Sequence, residues 1–199
     1  MFYGTKFYYK ILYFLTAMSP AYLLFLLQFH SKFKVDVTDI TIWNIKFNVI
    51  YVLIATICIM FILSIILSFL IKHQYFSKSN TRIYVETIHF FKEHKLKEIN
   101  GTVTTFLLGV IIPSIFIIET DPKIALGTFI FLQFLIYKII MKSTDIFPNV
   151  VLIIFGINLC KTQEDNYVFT FKSKKYNEFV VYKIGDPNKS RMYITMYEK

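Results

Sequence analysis

The chain has 199 residues, 55% of them hydrophobic, with 22 Lys and Arg against 13 Asp and Glu and a formal charge of +9; its mean hydropathy is +0.52. In a soluble protein such a basic excess would suggest nucleic acid. Here it surrounds four apolar runs, residues 11–29, 49–71, 102–118 and 124–141, whose only charged side chain is Lys138, a pattern that argues against a soluble core and for a membrane protein.

A helix rises about 1.5 Å per residue, so runs of this length match a hydrocarbon core of roughly 30 Å. Helices are the economical solution there, because backbone polar groups find no water in lipid. The first run follows Lys6 and Lys10 and continues past the length of a signal-peptide core, so it is expected to be retained as a span. Within it Ser19-Pro20 predicts a kink at Pro20, with Thr16 and Ser19 placed to bond the carbonyls that proline leaves free. Residues 30–48 then alternate at Phe33, Val35 and Val37 and continue through Ile40 and Ile42, a short strand or hairpin signal, before Trp43, a residue type suited to the membrane interface.

After the second span, residues 72–100 carry six basic residues, and one amphipathic helix is predicted over 81–98. Lys and Arg are retained on the cytoplasmic side, so both termini and this loop are expected there. In the third run Gly101, Thr105 and Gly109 fall four apart, a small-residue stripe suited to helix packing. Pro113 predicts a second kink one turn later. Lys138 lies one turn before Lys142, where snorkelling to the interface explains it without a transport role. His73, His89 and His94 lack metal-ligand spacing, and Cys58 and Cys160 are not expected to pair.

After the turn signal Phe147-Pro148-Asn149, residues 150–160 read as a buried strand or juxtamembrane segment. Residues 167–171, 179–184 and 192–196 alternate as strands, separated by turn-forming stretches. The expectation is an integral membrane α-helical protein: a four-helix transmembrane domain at 1–145 and a small antiparallel β-rich tail at 146–199. About fifty residues bury little apolar surface alone, so the tail is expected to lean on other subunits or a partner. Lys172, Lys174, Lys175, Lys183, Lys189 and Arg191, with Tyr182 and Tyr193, form the candidate partner-docking surface. Direct nucleic-acid binding is not expected, because the nine basic and six acidic residues after Met141 leave only +3. No nucleophile–base pair, phosphate loop or Cys/His cluster is present, so neither an enzyme nor a cofactor is expected.

The layout, together with Met18-Ser19-Pro20, the stretch at 109–113 and Phe147-Pro148-Asn149 leading to Gly156-Ile157-Asn158, resembles the membrane component of the Kiwa anti-phage defence system. Gly156-Ile157 stands where a Gly-Tyr pair is expected in relatives. The resemblance implies a bacterial inner-membrane sensor that assembles into homo-oligomers, tetramers by that likeness, and recruits a soluble DNA-binding partner protein. The alternative is a pore-forming effector or small channel, with Thr16, Ser19, Thr56, Ser64, Ser68, Thr104, Thr105, Thr128 and Gln133 as its polar lining.

Overall fold

A computed structural model describes residues 2–33, 40–42, 45–47, 49–76, 82–84, 96–111, 121–163, 165–171, 180–186 and 188–196. The first apolar run is two helices, α1 (Phe7–Ala17) and α2 (Ser19–Phe33), bent by 49° at Met18. The predicted kink is present with the predicted chemistry. Ser19 Oγ donates to the Thr16 carbonyl at 2.8 Å, the acceptor that Pro20 leaves without its helical N–H. Thr16 Oγ1 in turn donates to the Leu12 carbonyl at 2.8 Å.

Beyond α2, β1 (Ile40–Ile42) and β2 (Ile45–Phe47) pair antiparallel. The hairpin thus lies at the end of the predicted stretch; Trp43 falls outside the described residues. Next, α3 (Val49–Phe76) is apolar on every side and reaches a mean hydropathy of 2.9, the composition of a helix surrounded by lipid. The described part of the third run is only α4 (Val103–Phe106), capped by Thr102, and a π-helical turn at Leu107–Ile111. Pro113 lies outside the described residues. The last long helix, α5 (Pro122–Lys142), starts with Asp121 as N-cap and Pro122 in its first turn. Among the described residues two helices are therefore long and apolar enough to span a membrane, α3 and α5, and the bent α1–α2 pair makes up to three.

The β region departs from the sequence reading in three ways. First, the helix predicted over 81–98 is replaced at both ends by strands, β3 (Arg82–Tyr84) and β4 (Leu96–Ile99). Second, these become the outer strands of a six-stranded sheet ordered β3-β7-β8-β6-β5-β4, with β5 (Ile157–Thr162), β6 (Tyr167–Phe171), β7 (Val180–Ile184) and β8 (Met192–Met196). The sheet is not confined to residues 146–199: a fifty-residue tail is too small to finish it, and the central loop supplies both edges. Third, the sheet is mixed, because β8 inserts between β7 and β6 and runs parallel to β6. That register places Tyr167, Phe169 and Phe171 opposite Met192, Ile194 and Met196, so the apolar alternation of both strands faces one way. The 150–160 stretch is a short helix, α6 (Val150–Ile154), followed by β5. Gly156 at φ +71° makes the transition.

One face of this sheet carries the core. Phe2, Tyr9 and Tyr13 of the N-terminal segment and Leu67, Ile71 and Tyr75 of α3 are buried with Phe169, Phe171, Tyr182 and Ile194. Edge-to-face rings join the layers: Tyr9 and Tyr13 each lie 6.2 Å from Phe169, and Tyr75 lies 5.0 Å from Tyr182 and 5.6 Å from Phe171. The Gln74 amide adds a 3.4 Å bond to the Lys183 carbonyl. A second cluster joins α2 to α5, where Phe25 stacks on Phe129 at 3.9 Å.

Candidate functional site

The helices and the sheet meet in two buried polar groups of side chains. The first begins at Asn149, which caps α6 by accepting the Leu152 N–H at 3.2 Å. Its amide donates to Thr16 Oγ1 at 2.8 Å, and the Tyr13 hydroxyl donates to the Phe147 carbonyl at 2.6 Å. The turn 147–149 is thus fastened to α1 at the kink. Two glycines of the predicted stripe close on the same turn. A Cβ on Gly101, which adopts φ +77°, would lie 2.7 Å from the Ile146 carbonyl oxygen, and one on Gly109 would lie 2.8 Å from Phe147 Cε2. Thr105 sits apart from them, its hydroxyl 2.7 Å from that of Thr102. Gly101 and Gly109 therefore pack against a turn of their own chain.

The second group is centred on Lys161, whose side chain is 5% exposed. Its position on β5 follows Ile157 and Leu159 onto the core side of the strand. The ammonium donates to the Thr144 carbonyl at 2.8 Å, and lies 3.3 Å from Asp165 and 3.9 Å from Asp145. The Tyr167 hydroxyl donates to the same carbonyl at 2.5 Å. Burial, followed by the charges of Asp165 and Asp145, pushes that hydroxyl up to about 12. Lys161 thereby ties the sheet to the residues that leave α5. Beside them, an open cleft of about 370 Å³ runs between Thr105 and Gly109 on one side and Ile136, Ile140 and Phe147 on the other.

The predicted docking residues separate. Tyr182 is buried in the core against Tyr75 and faces the helices; it is a packing residue, because β7 carries apolar side chains on both faces and alternation alone does not orient it. Lys183 and Tyr193 lie on the opposite face, with the ammonium 5.5 Å from the ring centroid, and the Tyr193 hydroxyl is raised by burial. Lys189 and Arg191 are exposed in the turn before β8. Lys172, Lys174 and Lys175 fall outside the described residues. Cys160 is buried, its thiol pushed up by desolvation, and Cys58 is a free thiol on α3. Among the described residues no cluster of three metal-ligating side chains occurs.

Sequence reasoning missed Lys161, Asn149 and Tyr13. The available signal for Lys161 was a lysine in phase with Ile157 and Leu159. For Asn149 it was the position of an N-cap residue just before an apolar run. No curated protein and no solved structure matches the chain. The family model described as anti-phage protein KwaA matches residues 9–194, a stretch that contains the kinked first helix pair, both buried polar groups and nearly all of the sheet. With nearly its whole length matched, the chain belongs to the KwaA anti-phage protein family.

Proposed function

We propose that the protein is a membrane sensor and scaffold of anti-phage defence: its helices register a perturbation of the bacterial inner membrane, and its cytoplasmic sheet engages a soluble DNA-binding partner. The observation that carries this reading is the shared sheet face on which α1 and the end of α3 both rest, through Tyr9, Tyr13 and Tyr75. A change in how the helices sit in lipid alters packing on that face, while the opposite face, with Lys183 and Tyr193, and the turn with Lys189 and Arg191 supply basic and aromatic contact area for an acidic partner surface. Assembly into a homo-oligomer, tetrameric by family likeness, belongs to the same proposal; many apolar side chains of α3 and α5 are exposed and open to lipid or a neighbouring copy. A cytoplasmic position for both termini belongs to the same proposal and is supported by the Lys and Arg asymmetry of the loops.

The test is the double variant Lys189→Glu and Arg191→Glu, on exposed positions. Expected are unchanged membrane fractionation, loss of co-isolation with a soluble DNA-binding protein from the defending cell, and loss of phage protection. Retained co-isolation would move docking off this surface. Truncating the tail is a poorer test, because removing β6, β7 and β8 uncovers Tyr9, Tyr13 and Tyr75. The pore reading has one observation in its favour, Gln133 of α5, buried with neither amide atom bonded among the described residues. Ion conductance in planar bilayers that disappears in Gln133→Leu would replace the scaffold by a channel.

A further inference from the structure

The eleven residues of α1 present two unlike sides. At 100° per residue, Phe7, Tyr8, Ile11 and Leu15 share the side of α1 opposite Tyr9, Tyr13 and Thr16. The second set is buried against the sheet and the connecting turn, whereas Phe7 is 69% and Tyr8 51% exposed, and Tyr3 just before the helix is 73% exposed. Exposed Lys6 places its Nζ 5.9 Å from the Tyr8 ring centroid, half-buried Lys10 lies towards the packed side, and no acidic residue occurs before Asp36. Exposed tyrosine and phenylalanine beside lysine are the residue types of the bilayer interface, where an apolar ring body meets hydrated anionic groups.

Depth follows from α3. Its 28 residues extend about 42 Å, roughly 12 Å more than a hydrocarbon core. The surplus carries Lys72, whose Nζ lies 5.9 Å from the Phe171 ring of the sheet, and Tyr75, which packs on Phe171 and Tyr182. On the membrane reading of α3, the sheet face begins where that helix would leave the hydrocarbon, and α1 lies on that same face through Tyr9 and Tyr13. The 49° bend at Met18 turns the chain from α1 into α2.

We propose that residues 3–15 form an interfacial anchor whose outer side, Tyr3, Phe7 and Tyr8 with Lys6, binds the headgroup layer of an anionic bilayer. This rests on the membrane reading of α3, and the experiment separates the two. Nitroxides are placed at Tyr8→Cys and, in a separate protein, at Ile57→Cys, both with Cys58 and Cys160 replaced, in bilayers of phosphatidylglycerol and phosphatidylcholine. Collision with oxygen and with a water-soluble nickel complex gives the depth of each label. The label at 8 is expected at headgroup depth and the label at 57 in the hydrocarbon. A label at 8 in bulk water or at hydrocarbon depth, with 57 in hydrocarbon, overturns the anchor alone; a label at 57 in water overturns the membrane reading. Spin-labelled phosphatidylglycerol is expected to associate with the wild type in preference to phosphatidylcholine, and the preference is expected to fall by about fivefold for Lys6→Gln. An unchanged preference in that variant overturns the lysine contact.

Discussion

Replacing Lys161 with methionine keeps most of the buried stem and removes the ammonium that joins the sheet to the end of α5. The ammonium makes one 2.8 Å bond to the Thr144 carbonyl, and a bond to a charged donor contributes about 1.5–3 kcal/mol. Its two carboxylate partners add little, because Asp165 and Asp145 are 48% and 75% exposed and rehydrate when the lysine is gone; such pairs contribute about 0–1 kcal/mol. Methionine recovers part of the loss by removing the desolvation cost of a buried charge. The expected net destabilisation is about 1–2 kcal/mol, which lowers the melting temperature of a chain this size by about 2–8 °C. Lys161→Glu buries a carboxylate beside two aspartates and a carbonyl oxygen, and is expected to cost several kcal/mol. Heating purified protein in detergent and measuring what survives on size exclusion gives both midpoints. A wild-type midpoint for Lys161→Met, or equal midpoints for the two variants, would refute the buried-cation account.

Asn149→Ala removes the cap of α6 and the donor to Thr16, and is expected to cost about 2–3 kcal/mol by the same thermal assay; a loss under 1 kcal/mol would mean that water replaces both bonds. Gly101→Ala and Gly156→Ala both put a side chain at positive φ, which alone costs about 1–2 kcal/mol. Only Gly101 also meets the Ile146 carbonyl, whereas nothing lies within 4 Å at Gly156, so the first variant should melt clearly below the second, and equal midpoints would contradict the packing. The Tyr167 hydroxyl titrates at about 12 rather than its ordinary 10. The folded state therefore holds that proton more tightly than the unfolded one. Its contribution is intact below about pH 10 and is lost as pH rises towards about 12; denaturant unfolding midpoints at pH 9 and 11 should differ between wild type and Tyr167→Phe in that sense.

Unbroken apolar length made α3 and α5 legible in the sequence, short alternating runs between turn signals marked β6, β7 and β8, and Ser19-Pro20 made the kink legible because proline acts through a local steric and hydrogen-bonding rule. The outer strands were not legible. β3 and β4 have three and four residues, too few to establish alternation, and Tyr84, Ile88, Phe91 and Leu96 offered a helical spacing instead. Strand order is a tertiary property: the turn after Ile184 predicts a hairpin to β8, but nothing local says that β8 then takes the place beside β6. Of the candidate docking residues, Lys183, Lys189, Arg191 and Tyr193 lie off the core, while Tyr182 belongs to it. Its neighbour Val181 is also fully buried, so the binary pattern of β7 did not distinguish its two faces.

The phrases that carry the family likeness lie far apart in the chain and come together in the fold. Thr16 Oγ1 accepts from Asn149 and donates to Leu12, each at 2.8 Å, which a hydroxyl with one proton and two lone pairs can do at once. Ser19 meanwhile holds the carbonyl of the same threonine. A change in the bend between α1 and α2 acts first on the Ser19 bond to Thr16, whose hydroxyl holds Asn149, and Asn149 begins α6, which leads through Gly156 into β5. Gly109 presses on Phe147 from the other side. Movement of the first span thus reaches the sheet through one buried amide and one turn, whereas movement of α5 reaches it through Lys161. These are separate routes, with no side chain in common, so Asn149→Ala and Lys161→Met are expected to be additive in stability within about 0.5 kcal/mol. A larger departure in the double variant would show that the two spans load the sheet together.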